Sequence, residues 1–265
     1  MSTPRLDGRR ILVIGAGTRT LDVPDPPIGN GRAISILAAR EGASAVACVD
    51  LDRASAAETA SLVEAEGAQA PTFEGDVTDA EVCDRVVREA AGAMGGLDGV
   101  VLNVGIGAGM GLKGTTPEHW DLVFDVNVRS HFLVAKAAMP FMVDAEDGRG
   151  GALVFISSVA GLKPGSRIPA YDASKAALAG LCRHVAAEGG RKGVRANVVA
   201  PGLIDTPLGR WASGGRPSRD RTPVPLGRQG TGWEVASAVV FLLSDDACYV
   251  TGQVLAVDGG LSTLI

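Results

Sequence analysis

The pentapeptide YDASK sets Tyr171 and Lys175 four residues apart, so on a helix phenol and ammonium share one face. A phenol of ordinary pKa, about 10, is a poor base at neutral pH. A nearby lysine cation favours phenolate, and lowering that pKa by about 3 units takes about 4 kcal/mol of differential stabilisation. A tyrosine tuned in this way can give a proton to a carbonyl oxygen or remove one from an alcohol. Thirteen residues before Tyr171, the apolar run ALVFI ends in Ser157-Ser158, and Ser158 can hydrogen-bond the same substrate oxygen. On the Tyr–Lys spacing alone, a surface pair on an amphipathic helix stands as the alternative.

A second constellation lies near the start. The run ILVI leads into GAGTRTLDVPDPPIGNGRA, with Gly15, Gly17, Gly29 and Gly31 around Asn30. A strand that enters a glycine-rich turn and leaves as a helix suits a pyrophosphate, because the backbone can come close and the helix start offers N–H groups. Such turns are normally tight, yet thirteen residues separate Gly15 from Gly29 here. The expected geometry keeps both ends in place and lets residues 19–28, stiffened by Pro24, Pro26 and Pro27, loop outward as a solvated flap. Further on, VACVDLD puts Asp50 at a strand end, with Leu51 beside it. A carboxylate there accepts both ribose hydroxyls of an adenosine and repels a 2′-phosphate; capping of the next helix is the alternative. Asp76, in GDVTD, is placed to hydrogen-bond an adenine amino group, and Asn103 and Gly105 occupy another strand end.

These residues need elements to carry them. Strands are expected at 10–14, 45–49, 70–74, 98–102, 152–156, 194–199 and 253–257. Helices are expected near 30–41, 53–66, 79–94, 117–139, 170–188 and 231–243, with a Thr78–Glu81 capping box and Pro117 at a first helical position. Continuously apolar strands alternating with helices imply parallel strands buried on both faces, in one doubly wound α/β domain spanning 1–265. Residues 205–230, rich in Gly, Pro, Ser and Arg, read as a mobile flap over a substrate, with 105–114 and 159–168 as further pocket walls.

The 265 residues carry a formal charge of -5, which gives no electrostatic case for nucleic acid or an anionic membrane. No apolar run approaches the roughly 20 residues of a membrane span. The four cysteines are scattered, so free thiols, a cytoplasmic setting and no metal site are expected.

Together with ISSVAG, LNVG, FDVNVRS, NVVAPGLIDTP and TGQVLAVDGG, YDASK makes the chain resemble a short-chain dehydrogenase/reductase from about residue 10 to its end. The resemblance implies a single-domain Rossmann fold with a twisted seven-stranded parallel sheet, a nicotinamide cofactor and a homotetramer or dimer. It makes Tyr171 the general acid/base, has Lys175 lower its pKa and hold the nicotinamide ribose, and has Ser158 orient the substrate. Asn127 then fixes a water of a proton relay. Pro201 and Gly202 shape the backbone beside the nicotinamide, Ile204 offers main-chain groups to its carboxamide, and Thr206 adds a hydroxyl. Asp76 and Val77 flank the adenine, and Asn103 and Gly105 the adenosine ribose. His119, His131 and His184 match no motif and are expected to be structural or exposed.

The family's turn is T-G-x-x-x-G-I-G; here Ile14 and Asn30 replace the threonine and isoleucine, and ten residues are inserted. The expected activity is NAD-dependent interconversion of a secondary alcohol and its ketone, with NADP disfavoured by Asp50. The alternatives are an NADPH-dependent 3-oxoacyl-carrier-protein reductase and a non-catalytic nucleotide-binding scaffold or sensor. The enoyl-reductase branch of the family separates its tyrosine and lysine by six residues, whereas YDASK leaves three.

Overall fold

Each of the seven apolar runs becomes a strand of one parallel sheet in the computed structural model, which describes residues 4–143, 150–214 and 222–264. Its strands are β1 (Arg10–Ile14), β2 (Ala45–Asp50), β3 (Thr72–Glu74), β4 (Gly99–Leu102), β5 (Gly151–Ile156), β6 (Val194–Pro201) and β9 (Val254–Val257). A two-stranded parallel sheet of β7 (Ile204–Asp205) and β8 (Gly230–Thr231) stands apart from it.

The large sheet runs β3-β2-β1-β4-β5-β6-β9. Two apolar cores sandwich it. Along β1, Ile11 and Val13 join one core and Leu12 and Ile14 the other, the period-two alternation of a strand buried on both faces. Helices α1 (Asn30–Arg40), α2 (Arg53–Ala65) and α9 (Gly232–Leu243) supply the first core through residues such as Ile34, Val63 and Val239. Helices α3 (Ala80–Met94), α6 (Ser130–Val143) and α7 (Pro169–Gly189) supply the second through Val86, Val134 and Leu178. Two short helices, α4 (Gly111–Gly114) and α5 (Pro117–Phe124), follow β4, and α8 (Pro207–Gly214) follows β7.

β1 and β4 are neighbours, with β2 and β3 to one side and β5, β6 and β9 to the other. The winding therefore reverses between β1 and β4, and the crevice beyond their carboxyl ends is where such sheets bind ligands.

Three expectations change. The helix foreseen at 117–139 is broken: α5 passes through a π-helical turn, Asp125–Arg129, before α6 begins. The Thr78–Glu81 capping box does not form. Asp79 caps α3 by accepting from the Glu81 and Val82 N–H groups (2.8 and 3.3 Å), while the Thr78 hydroxyl donates to Asp76. An Asp adjacent to the helix competes directly for the same N–H groups. The flap at 205–230 is partly regular, since α8 and β8 lie within it; residues 215–221 fall outside the described residues. Pro117 does sit at the start of α5, behind a Thr116 cap.

Candidate active site

Helix α7 begins at Pro169, so Tyr171 and Lys175 lie in its first two turns, beside the carboxyl end of β5. Lys175 is buried, and its Nζ donates to the Ile156 carbonyl (3.0 Å). The same ammonium stands 5.7 Å from the centroid of the Tyr171 ring. Burial pushes the Lys175 pKa down to about 8. Two contacts fix this turn of α7. The Ser157 hydroxyl donates to the Lys175 carbonyl (2.7 Å). At Gly161 a Cβ would stand 2.7 Å from the Lys175 backbone, so only glycine lets that loop cross the helix so closely.

Ser158 is extended and caps the short 3₁₀ turn Val159–Gly161; its Oγ accepts from the Ala160 N–H (3.2 Å) and keeps its own proton to donate. Asn127 arrives from the π turn, fully buried. Its Oδ1 accepts from the Ile106 N–H (2.8 Å), and its Nδ2 donates to the Ile106 carbonyl and the Ser174 hydroxyl (2.9 Å each). The Ser174 hydroxyl in turn donates to the Tyr171 carbonyl (2.8 Å). A widened turn within a helix often marks a functional site, and this one delivers an amide to the Tyr–Lys corner. Nothing in FDVNVRS announces a π turn.

The glycine turn occupies the other side of the crevice. Gly15 has φ +80, a backbone open to glycine, and a Cβ on Gly31 would stand 1.9 Å from the Gly15 carbonyl oxygen. The Asn103 amide donates to that oxygen (2.8 Å), joining the ends of β1 and β4. Asp50 faces the turn rather than capping α2: its carboxylate accepts from the Gly17 and Asp52 N–H groups (2.8 and 3.1 Å), and Asp52 makes the cap. The Thr18 N–H donates to the Ser55 hydroxyl (2.8 Å), which donates back to the Thr18 carbonyl. Thr18 Oγ1 and Asn30 Oδ1 are buried with no protein partner.

Residues 19–28 leave and re-enter at one point. A Cβ on Gly29 would lie 2.5 Å from Thr18 Oγ1 and 3.7 Å from Thr18 Cα. Residues 22–26 are exposed.

The remaining positions divide. Asp76 is exposed, with Oδ1 taken by the Thr78 N–H and hydroxyl, whereas the Val77 side chain is buried in the core and its carbonyl accepts from the Cys83 thiol (3.1 Å). Leu51 is 68% exposed beside Asp50. A Cβ on Gly105 would stand 2.8 Å from Lys175 Nζ, and one on Gly202 would strike Asp258. Ile204 and Thr206 are buried, and Thr206 Oγ1 accepts from the Gly209 N–H (3.0 Å).

Of the flap arginines, Arg210 is held by Asp205 and Arg228 by Glu234, each through two hydrogen bonds; Arg216, Arg219 and Arg221 lie outside the described residues. His131 is buried behind the site, with Nε2 3.1 Å from the Leu102 carbonyl and Nδ1 3.2 Å from the Ser130 hydroxyl. Burial, with help from the Lys175 charge, pushes its pKa down to about 3, so it is neutral. The His184 side chain is exposed, and His119 closes the cap of α5.

This fold and crevice agree with what the chain is similar to. A family described as "Enoyl-(Acyl carrier protein) reductase" matches residues 28–262. The 2-(S)-hydroxypropyl-CoM dehydrogenase 3 of Xanthobacter autotrophicus is 37% identical, over 98% of this chain and 99% of its own. A crystal structure of levodione reductase superposes with a TM-score of 0.88 at 30% identity, covering 98% of this chain and 100% of that one. A structure from Agrobacterium tumefaciens described as a 2-deoxy-d-gluconate 3-dehydrogenase with bound NADP gives a TM-score of 0.84 at 31% identity, covering 98% of this chain and 99% of that one. The chain belongs to the short-chain dehydrogenase/reductase family, an oxidoreductase family that uses NAD(P) and acts on small molecules. Among the described residues no helix is long and apolar enough to cross a membrane.

Proposed function

We propose that this chain, as one domain, is an NAD-dependent enzyme interconverting a secondary alcohol and its ketone. The observation that carries the reading is the buried Lys175 ammonium 5.7 Å from the Tyr171 ring, on a helix turn held by Ser157 and, through Ser174, by Asn127. With a pKa of about 8, Lys175 is still mostly cationic at neutral pH and favours a phenolate beside it. Tyr171 moves the proton at the reacting oxygen, Ser158 donates a hydrogen bond to that oxygen, and Lys175 supports Tyr171. Asn127, locked at both Ile106 and Ser174, holds the proton path behind Lys175.

The crevice fits a dinucleotide. Gly15 and Gly31 leave a cradle that a Cβ would fill, and the buried Thr18 hydroxyl, beside Gly29, has no protein partner and can donate there. Gly17, Gly29 and the start of α1 take the pyrophosphate, Asp50 the adenosine ribose, and Leu51, Asp76 and the Val77 N–H the adenine. Asn103 and Gly105 continue the path toward Lys175, and Pro201, Gly202, Ile204 and Thr206 receive the carboxamide end. When bound, the nicotinamide accepts or supplies the hydride. Residues 19–28 are an insertion of ten into the family's turn; the meeting of Thr18 with Gly29 supports this, as does a family match that starts at residue 28. A cytoplasmic homotetramer or dimer is the assembly we expect.

The test is a panel of secondary alcohols, cyclic alcohols, polyols and hydroxy acids, followed by NADH formation at 340 nm. We expect turnover with NAD and weak or no turnover with NADP, because Asp50 stands where a 2′-phosphate would lie. Asp50→Ala should narrow that preference by weakening NAD. Equal or better use of NADP by the wild type overturns the assignment of Asp50, and turnover confined to 3-oxoacyl thioesters with NADPH favours the carrier-protein reductase instead.

A further inference from the structure

Loop 19–28 and helix α8 belong to opposite sides of the crevice, and they touch. The Arg19 guanidinium lies over the indole of Trp211, 5.1 Å from the ring centroid. Next along α8, Arg210 is gripped by Asp205 and also feels the charge of Asp25, which sits in a left-handed conformation at the loop's tip (φ 52). The loop's returning foot is anchored as well: the Ile28 carbonyl oxygen is 3.0 Å from where a Cβ on Gly232 would stand, at the start of α9. The flap foreseen as an outward excursion therefore meets α8 at its first residue and α9 at its foot.

Placement gives these contacts a meaning. Loop 19–28 rises from the end of β1, whereas α8 follows β6 and β7; β4 and β5 lie between β1 and β6. At about 4.8 Å per strand, the gap bridged above the sheet is about 14 Å. Beneath that bridge runs the path from the glycine turn to the Tyr171–Lys175 corner. A guanidinium stacked on an indole still presents N–H groups at its edge, suited to phosphate oxygens.

We propose that Arg19 and Trp211 are cofactor-retaining positioning residues, whose contact closes a strap across the pyrophosphate of the bound dinucleotide. The inference rests on the dinucleotide reading of the crevice given above. Release of the cofactor then requires loop and helix to part, and any substrate that orders α8 also slows that release.

The test is stopped-flow release of NADH from the full-length protein, chased with excess NAD and followed by NADH fluorescence. Arg19→Ala and Trp211→Ala should each speed release about two- to fivefold, the range for an exposed cation–π pair. The double variant should be no faster than the faster single one, because both remove the same contact. Arg19→Lys and Trp211→Phe, which keep a cation and a ring, should restore most of the retention. Both side chains are largely exposed, so the fold should survive, as a thermal melt will check. Wild-type protein that takes up no dinucleotide overturns the crevice reading and the strap together. Normal uptake and turnover with wild-type release rates in both single variants, or effects that multiply in the double variant, overturn the strap alone.

Discussion

The Tyr–Lys corner and the glycine turn handle polar groups in opposite ways. In the corner, side chains are held by backbone: Lys175 by the Ile156 carbonyl, Asn127 by both polar groups of Ile106, and Ser157 by the Lys175 carbonyl. In the turn, backbone does the shaping, through glycines that let Gly31 approach the Gly15 carbonyl, and two buried polar atoms have no protein partner. Each such atom costs about 1–3 kcal/mol if left unsatisfied. The contrast matches the demands of each task. Proton transfer needs groups fixed before substrate arrives, whereas phosphate binding needs open backbone and an uncommitted donor, which of these two atoms the Thr18 hydroxyl supplies and the Asn30 amide oxygen, an acceptor, does not.

The sharpest way to break that contrast is to change the corner and watch the turn. Tyr171→Phe removes the hydroxyl and keeps the ring over Lys175. Turnover should fall about 10²–10⁴-fold, the usual worth of acid–base catalysis, while NADH affinity stays near wild type. Fluorescence titration and steady-state rates on one preparation separate the two. A variant within a few-fold of wild-type turnover removes Tyr171 from the chemistry.

The contrast also explains what was legible beforehand. Strands were readable because a sheet buried on both faces demands continuous apolar runs, and all seven appear within two residues of the expected bounds. Tyr171, Lys175 and Ser158 were readable because their placement follows from helix periodicity and a strand end. The π turn was hidden, since it depends on Asn127 finding Ile106, a partner distant in sequence. The cap of α3 was misread because Thr78 and Asp79 are both competent, and only the fold shows that Asp76 takes the threonine hydroxyl. Arg19 and Trp211, 192 positions apart in the chain, carry no local signal at all.

A milder perturbation lies behind the corner. His131 ties α6 to the last residue of β4, and its folded pKa is about 3 against an ordinary 6.5. The unfolded chain therefore binds an extra proton below pH 6.5, so this histidine's contribution is full above that value and drains away as pH falls toward 3. At pH 5 the loss is about 2 kcal/mol. His131→Gln keeps an N–H for the Leu102 carbonyl but cannot titrate. Urea midpoints at pH 7 and pH 5 should draw together in the variant, above the range where carboxylates such as Asp98 begin to take up protons. An unchanged difference would mean that His131 is not held neutral in the folded state.

The smallest effect tests whether the turn is as separable from its loop as the corner is locked to its backbone. Deleting residues 19–28 joins Thr18 to Gly29 and leaves Gly-Ala-Gly-Thr-Gly-Asn-Gly from Gly15 to Gly31. A Cβ on Gly29 would lie 3.7 Å from Thr18 Cα, so the two ends of the loop already meet and a local shift makes the join. The Thr18 N–H keeps its Ser55 partner, and α1 keeps its register on Gly29. What is lost is the packing of half-buried Ile28 against the core around α9, about 1 kcal/mol, offset in part by the lower entropy of closing a shorter loop. In a chain of this size that lowers Tm by about 2–4 °C. NADH should still bind, released about two- to fivefold faster, as in Arg19→Ala. A fold that collapses instead makes the ten residues part of the core. Release at the wild-type rate leaves them a surface feature, or a contact for a second copy of the chain, which the oligomeric state of the deletion variant decides.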